Sequence, residues 1–247
     1  MPRRFASLPM YDLPELRRAT DALWRDIASR LDVEGVPAGL DRTHRDDLLT
    51  HHWCHPALLL TQACGWPAAA LLDGDVAIVG AFMYRGISDR HARYACHLVV
   101  RADDTERPLQ GRAAAVNGTG SLSGWICLVA AVGEVGPVVI TGSHIASLAE
   151  VRAGRADLAS IDPVTWAHLA RHRPAALDGL AIIGEGPKVP ALPLITRPTL
   201  GPGVDVLRDV LSTVRSEALL IDGFVALDAA DYDPVLRLGH IACGLAS

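Results

Sequence analysis

Three short stretches of this chain combine small, hydroxylated and ionisable residues just where a helical pattern begins. The first is Asn117-Gly118-Thr119-Gly120-Ser121-Leu122-Ser123-Gly124. A strand end running into a helix there presents backbone N–H groups and the positive end of the helix dipole, a combination that attracts an anion. Ser121 and Ser123 can add hydroxyl donors, and the same residues also fit an ordinary serine cap after a glycine-rich turn. Thr141-Gly142-Ser143-His144 repeats the arrangement, with His144 open to either a ligand-binding or a capping and packing role. In Ser160-Ile161-Asp162-Pro163-Val164-Thr165, Asp162 precedes a proline suited to a first helical turn. Asp162 is a helix cap that could also accept from a ligand hydroxyl, amine or acidic proton, with Thr165 donating beside it.

Other reactive side chains lack productive spacing. His51-His52-Trp53-Cys54-His55 holds zinc or copper ligand types and one i, i+4 pair, His51 and His55, but adjacent ligands rarely share one metal, so no metal site is assigned. The five cysteines, Cys54, Cys64, Cys96, Cys127 and Cys243, are odd in number and dispersed, which leaves no disulfide framework. All five are expected unpaired, with Cys64 and Cys96 buried as small apolar groups. No catalytic residue and no cofactor is assigned.

The elements that must position these stretches follow from apolar patterning. Strands are expected over 5–10, 76–83, 94–100, 111–117, 138–141 and 158–161. Helical spacing covers 13–31, 45–52, 121–132, 144–153, 163–171, 204–216 and 232–238. Pro187, Pro190 and Pro193 make 184–196 an extended return segment. Alternating strands and helices imply βαβ units, a largely parallel sheet, and ligands beyond the carboxyl ends of the strands. The three stretches fall at such junctions.

Bulk properties limit the function. With 247 residues, half of them hydrophobic, the chain can form one large core or two modest ones. A formal charge of -5 disfavours a nucleic-acid partner, because that surface needs clustered cations. A small anionic ligand fits better. No apolar run reaches the roughly 18 residues of a membrane span. The N-terminus shows no apolar signal region, so the sequence as it stands is expected to be cytoplasmic.

Taken in order, Leu8-Pro9-Met10-Tyr11-Asp12, residues 58–67, Ser121-Leu122-Ser123-Gly124, Thr141-Gly142-Ser143-His144 and residues 157–166 resemble the PhnD-like phosphate, phosphite and phosphonate substrate-binding family of ABC transporters. The resemblance implies an α/β, two-lobed periplasmic-binding-protein-like II fold with a ligand cleft between the lobes. Residues 1–95 plus 195–247 are expected to build lobe 1 and residues 96–194 lobe 2, with crossings at 94–100 and 192–196. It places Tyr11 and Tyr84 toward the ligand from lobe 1, and Ser121, Ser123, His144 and Asp162 from lobe 2; Asn117, Gly124 and Thr165 complete the candidate set. The implied partner is an ABC permease, and the implied compartment is the periplasm if a leader is missing. Three functions are carried forward: an oxyanion-binding protein that closes by lobe movement, a cytosolic lyase or biosynthetic enzyme on the same fold, and an intracellular ligand sensor.

Overall fold

The computed structural model describes residues 4–43, 52–72, 74–197, 203–242 and 244. Strand β1, Phe5–Ser7, leads through a 3₁₀ turn at Pro14–Leu16 into helix α1, Arg17–Arg30, followed by β2, Leu58–Gln62, α2, Gly65–Ala70, and β3, Ala77–Tyr84. Next come β4, Arg93–Arg101, β5, Ala114–Val116, a π-helical turn at Leu122–Ile126, α3, Cys127–Val132, and β6, Val138–Ile140. Then α4, His144–Arg152, β7, Ala159–Ile161, α5, Pro163–His172, and β8, Leu180–Pro190. The chain ends with β9, Pro193–Thr196, α6, Val204–Ser212, β10, Ile221–Ala226, and α7, Asp233–Ala242. The helix expected over 45–52 falls on residues outside the described set, apart from His52.

Packing divides the chain into two compact units, Met1–Arg93 with Pro190–Asp233, and Tyr94–Val189 with Pro234–Ser247. The chain therefore leaves the first unit at the start of β4 and re-enters it at the end of β8. Residues 192–196, expected as the return crossing, contribute β9 to the first unit.

In the first unit five strands pair in the order β1-β2-β9-β3-β10. The expectation of a largely parallel sheet is corrected here: β1 and β2 are parallel, but β9 runs antiparallel to both β2 and β3, and β10 antiparallel to β3. Parallel neighbours need a helical crossover between them. Strand β9 instead enters from the extended β8, and β10 arrives by a turn after α6, so both lie reversed against β3. The order of these pairs is stapled by buried hydroxyls: Ser7 Oγ lies 2.7 Å from Thr61 Oγ1, and Thr196 Oγ1 donates to Leu59 O at 2.7 Å. Gly80 takes a φ of +155° at the register shift against β9, where a Cβ would run into the Val225 carbonyl. Helix α1 buries Thr20, Leu23, Trp24 and Ile27, spaced to share one face.

In the second unit β4 lies between β7 and β8, and β5 pairs with β6 in parallel. Strand alternation serves two apolar cores. Val99, Ala115, Ala159 and Ile161 face Leu148 and Val151 of α4 and Leu169 of α5, while Leu98, Val100, Ala114 and Val116 face Leu128 of α3. Strand β8 is an edge, which is where Pro187 does no harm because no ladder donor is needed from it. The result is that β5, β6 and β7 each deliver their carboxyl ends to the start of a helical segment, the turn at Leu122, α4 and α5 respectively.

Candidate functional site

The first junction is wider than an ordinary helix start. Ser121 O accepts from both Trp125 N and Ile126 N at 3.1 Å, and its Oγ accepts from Gly124 N at 3.0 Å. These bonds make the π-helical turn, a shape over-represented at functional positions. Because Ser121 Oγ acts as an acceptor toward the turn, its hydroxyl proton remains available to another acceptor. Gly124 is required by its neighbour: a Cβ there would collide with Asn117 Oδ1. That Asn117 oxygen is buried and has no hydrogen-bond partner among the described residues.

Ser123 joins this turn to the other two. Its Oγ lies 2.9 Å from His144 Nε2, and its carbonyl accepts from Ser160 Oγ at 2.6 Å. At the second junction Ser143 Oγ accepts from Ala146 N at 3.2 Å, capping α4 with His144 as its first residue. Thr141 Oγ1 bonds Ser147 Oγ at 2.7 Å and donates to Val116 O at 3.1 Å, fixing α4 to the end of β5. At the third, Asp162 Oδ1 accepts from Val164 N and Thr165 N, both at 2.9 Å, and Oδ2 accepts from Tyr94 Oη at 2.8 Å. Asp162, Ser121 and Ser123 are all less than a tenth exposed.

Electrostatics in this region centre on the Asp162 carboxylate. Burial lowers the His144 pKa, with Asp162 and the Ser160 backbone pulling partly in the other direction. His97 is likewise lowered by burial, against the pull of Glu185 and Asp162. Burial takes His168 down to about 4, helped by His172 and opposed by Asp162. The chemical character is a set of hydroxyls, helix N-terminal amides and a neutral imidazole, with one carboxylate already committed to capping.

Of the candidate residues, Asn117, Ser121, Ser123, Gly124, His144, Asp162 and Thr165 thus lie in the second unit and are linked through the contacts above. Tyr11 and Tyr84 lie in the first unit, where their rings form an edge-to-face pair with centroids 5.7 Å apart and Tyr84 Oη accepts from Gln62 Nε2 at 3.0 Å. Tyr94, Ser160 and Thr141 were not among the candidates. Tyr94 opens an apolar run with no polar signal, and only its bond to Asp162, 68 residues later, gives it a role here.

In the histidine-rich stretch, His52 and His55 pack against an aromatic ring. The Phe5 ring contacts His52 and His55, with centroids at 5.4 and 4.9 Å, and His55 Nδ1 accepts from Ala57 N at 3.0 Å. Among the described residues no group of three or more His, Cys, Asp or Glu could hold a metal, and His51 lies outside them. None of Cys54, Cys64, Cys96 and Cys127 forms a disulfide; Cys243 is outside the described residues. No helix among the described residues is long and apolar enough to cross a membrane.

Comparison with known proteins bears on the family and the fold. A search of curated protein sequences finds no match. Among solved structures, PhnD1 of Prochlorococcus marinus in complex with methylphosphonate is similar over 100% of both chains, with a TM-score of 0.77 at 14% identity. A binding-protein component of an ABC phosphonate transporter from Pseudomonas aeruginosa matches 95% of this chain and 84% of its own, with a TM-score of 0.66 at 16% identity. ArgBP of T. maritima, in its holo form, matches 84% of this chain and 88% of its own, with a TM-score of 0.53 at 20% identity. These likenesses show the two-lobed α/β fold of periplasmic binding proteins. The family model for the phosphonate periplasmic substrate-binding protein of ABC transporters matches residues 61–232, well over half of the chain, and spans all three junctions. The chain therefore belongs to the phosphonate-type periplasmic substrate-binding family of ABC transporters.

Proposed function

We propose that this protein binds a small tetrahedral oxyanion of the phosphate, phosphite or phosphonate type, releases it unchanged, and hands it to an ABC permease. The observation that carries the reading is the link from Ser123 to all of the second-unit junctions, through His144 Nε2 at 2.9 Å and Ser160 Oγ at 2.6 Å. Ser121 and Ser143 spend their oxygens on their own helices, so their hydroxyl protons, with that of Ser123, are the donors left for an anion. The neighbouring Asp162 carboxylate repels a fully ionised ligand oxygen and accepts from a protonated one or from an amine. A ligand carrying one such donor is favoured.

A second reading is kept by one distance. Ser123 Oγ and His144 Nε2, 2.9 Å apart, have the spacing of a nucleophile and its base. Its support is weaker, because Asp162 turns its oxygens to Tyr94 and to the start of α5, away from the orienting role a third catalytic group would take.

A thermal-shift panel of phosphate, phosphite, methylphosphonate, aminoethylphosphonate and sulfate tests the proposal. At about 100 times its dissociation constant, a true ligand adds about 2.7 kcal/mol to the folded state, an easily read shift. Mass spectrometry of the ligand before and after incubation then separates binding from turnover. No shift with any of the five, or a ligand recovered changed, overturns the reading.

A further inference from the structure

The Ser123 hydroxyl carries one proton, and the nitrogen 2.9 Å away can either accept it or donate to its oxygen. With Nε2 bare, Ser123 gives its proton to the ring and turns lone pairs toward an incoming anion, which repels it. With Nε2 protonated, Nε2–H donates to Ser123 Oγ and the serine proton is free to point at the ligand, and an anion bound beside it favours the imidazolium over the neutral Nε2–H tautomer. We propose that binding of an oxyanion at the Ser121–Ser123 turn loads one solvent proton onto His144, so that His144 donates to Ser123 and Ser123 donates to the ligand. The inference rests on the anion-binding reading above.

The surroundings act on the ring in both directions. In the free protein burial holds His144 toward its neutral form, while the Asp162 carboxylate and the Ser160 backbone favour the charged one. That carboxylate is itself held by Tyr94 Oη and the α5 amides, and it also acts on His97, which faces Glu185, and on His168, which faces His172 and Arg171. An oxyanion adds a second negative charge on the far side of Ser123. Linkage then requires that whatever favours the proton also favours the anion, and by the same factor. The device discriminates between ligands as well: a dianion needs the proton, whereas a ligand bringing its own P–OH or ammonium proton can donate to Ser123 Oγ or Asp162 and needs none.

The test is calorimetric titration with methylphosphonate under alkaline conditions, where the ligand is a dianion, in two buffers of different ionisation enthalpy. Wild type and His144→Gln are compared, because the ligand's own protonation is common to both and cancels. Wild type should take up a fraction approaching one proton more than the variant, and its affinity relative to the variant should rise by up to about tenfold for each pH unit lowered. Equal uptake in the two proteins overturns the inference while leaving anion binding intact. No binding by wild type overturns the anion reading, and this inference falls with it. Should the variant fold poorly, NMR of the wild type with labelled histidine gives the same answer: at fixed pH, methylphosphonate should move the His144 ring signals to the imidazolium position, and binding with unmoved signals refutes the proposal.

Discussion

Ser123 meets a ring nitrogen with its side chain and a serine hydroxyl with its carbonyl, and the two contacts separate cleanly under mutation. Ser123→Ala removes the hydroxyl and keeps the carbonyl bond to Ser160. A hydrogen bond to a charged ligand is typically worth about 1.5–3 kcal/mol, so methylphosphonate affinity should fall by roughly tenfold or more, while the free protein loses about 1–3 kcal/mol because the buried His144 Nε2 is left without its partner. Isothermal titration checks it, and unchanged affinity would remove Ser123 from the site. Gly124→Ala acts differently. Its methyl displaces Asn117 Oδ1, and overpacking of this kind costs about 1–3 kcal/mol. Adding Asn117→Ala should recover most of that loss, and a double-mutant cycle by urea denaturation with purely additive terms would contradict the clash. A cap residue and a ligand donor look alike along the chain, so the roles of Ser121 and Ser123 could be narrowed but not separated before their hydrogen bonds were known.

At the scale of elements, α5 carries a pH dependence. His168 sits on its buried face, 1% exposed, with its pKa lowered from 6.5 to about 4. The unfolded chain therefore binds this proton more readily than the folded one. The contribution is fully present above pH 6.5, is lost as pH falls toward 4, and totals about 3 kcal/mol. Urea melts between pH 7 and 4.5 should show that loss, and His168→Gln should flatten it; an unchanged slope in the variant would exclude His168 as its source. The loop before β5 offers a second test. Arg112, 3% exposed, donates to the carbonyls of Pro108, Asp104 and Arg107 and pairs with the Asp104 carboxylate. Arg112→Ala removes these bonds while the Asp104 carboxylate keeps Arg101 and Arg107, and should cost about 1–3 kcal/mol in the same melts. Most helices and buried strands could be read from apolar spacing, because their patterns are long and local. Strand β10 could not: Ile221-Asp222-Gly223-Phe224 places an Asp-Gly turn signal inside a strand that forms only because β3 is there to pair with it.

For the whole molecule, ligand binding should leave a patterned signature. Hydrogen exchange with saturating methylphosphonate should increase protection in 117–126, 143–147 and 162–166, the three junctions, more than in α1 or α6; uniform protection would argue for a site elsewhere. Thiol titration of the denatured, unreduced protein should find five thiols, matching the five cysteines, since none of the four described ones is in a disulfide. What the sequence by itself determined was the set of helix starts, because a capping residue acts on amides two or three positions ahead: Ser121 on Gly124, Ser143 on Ala146, Asp162 on Val164 and Thr165. The order of those starts along the chain also carried the family resemblance. What only the tertiary structure decided was how they combine. Ser123 and His144 are 21 residues apart, Ser160 and Ser123 37, and Tyr94 and Asp162 68. Such pairs are set by which strand edges meet and in which direction, as with β9 and β10, and strand direction is fixed by the connections and packing of the whole sheet, which no local pattern of residues encodes.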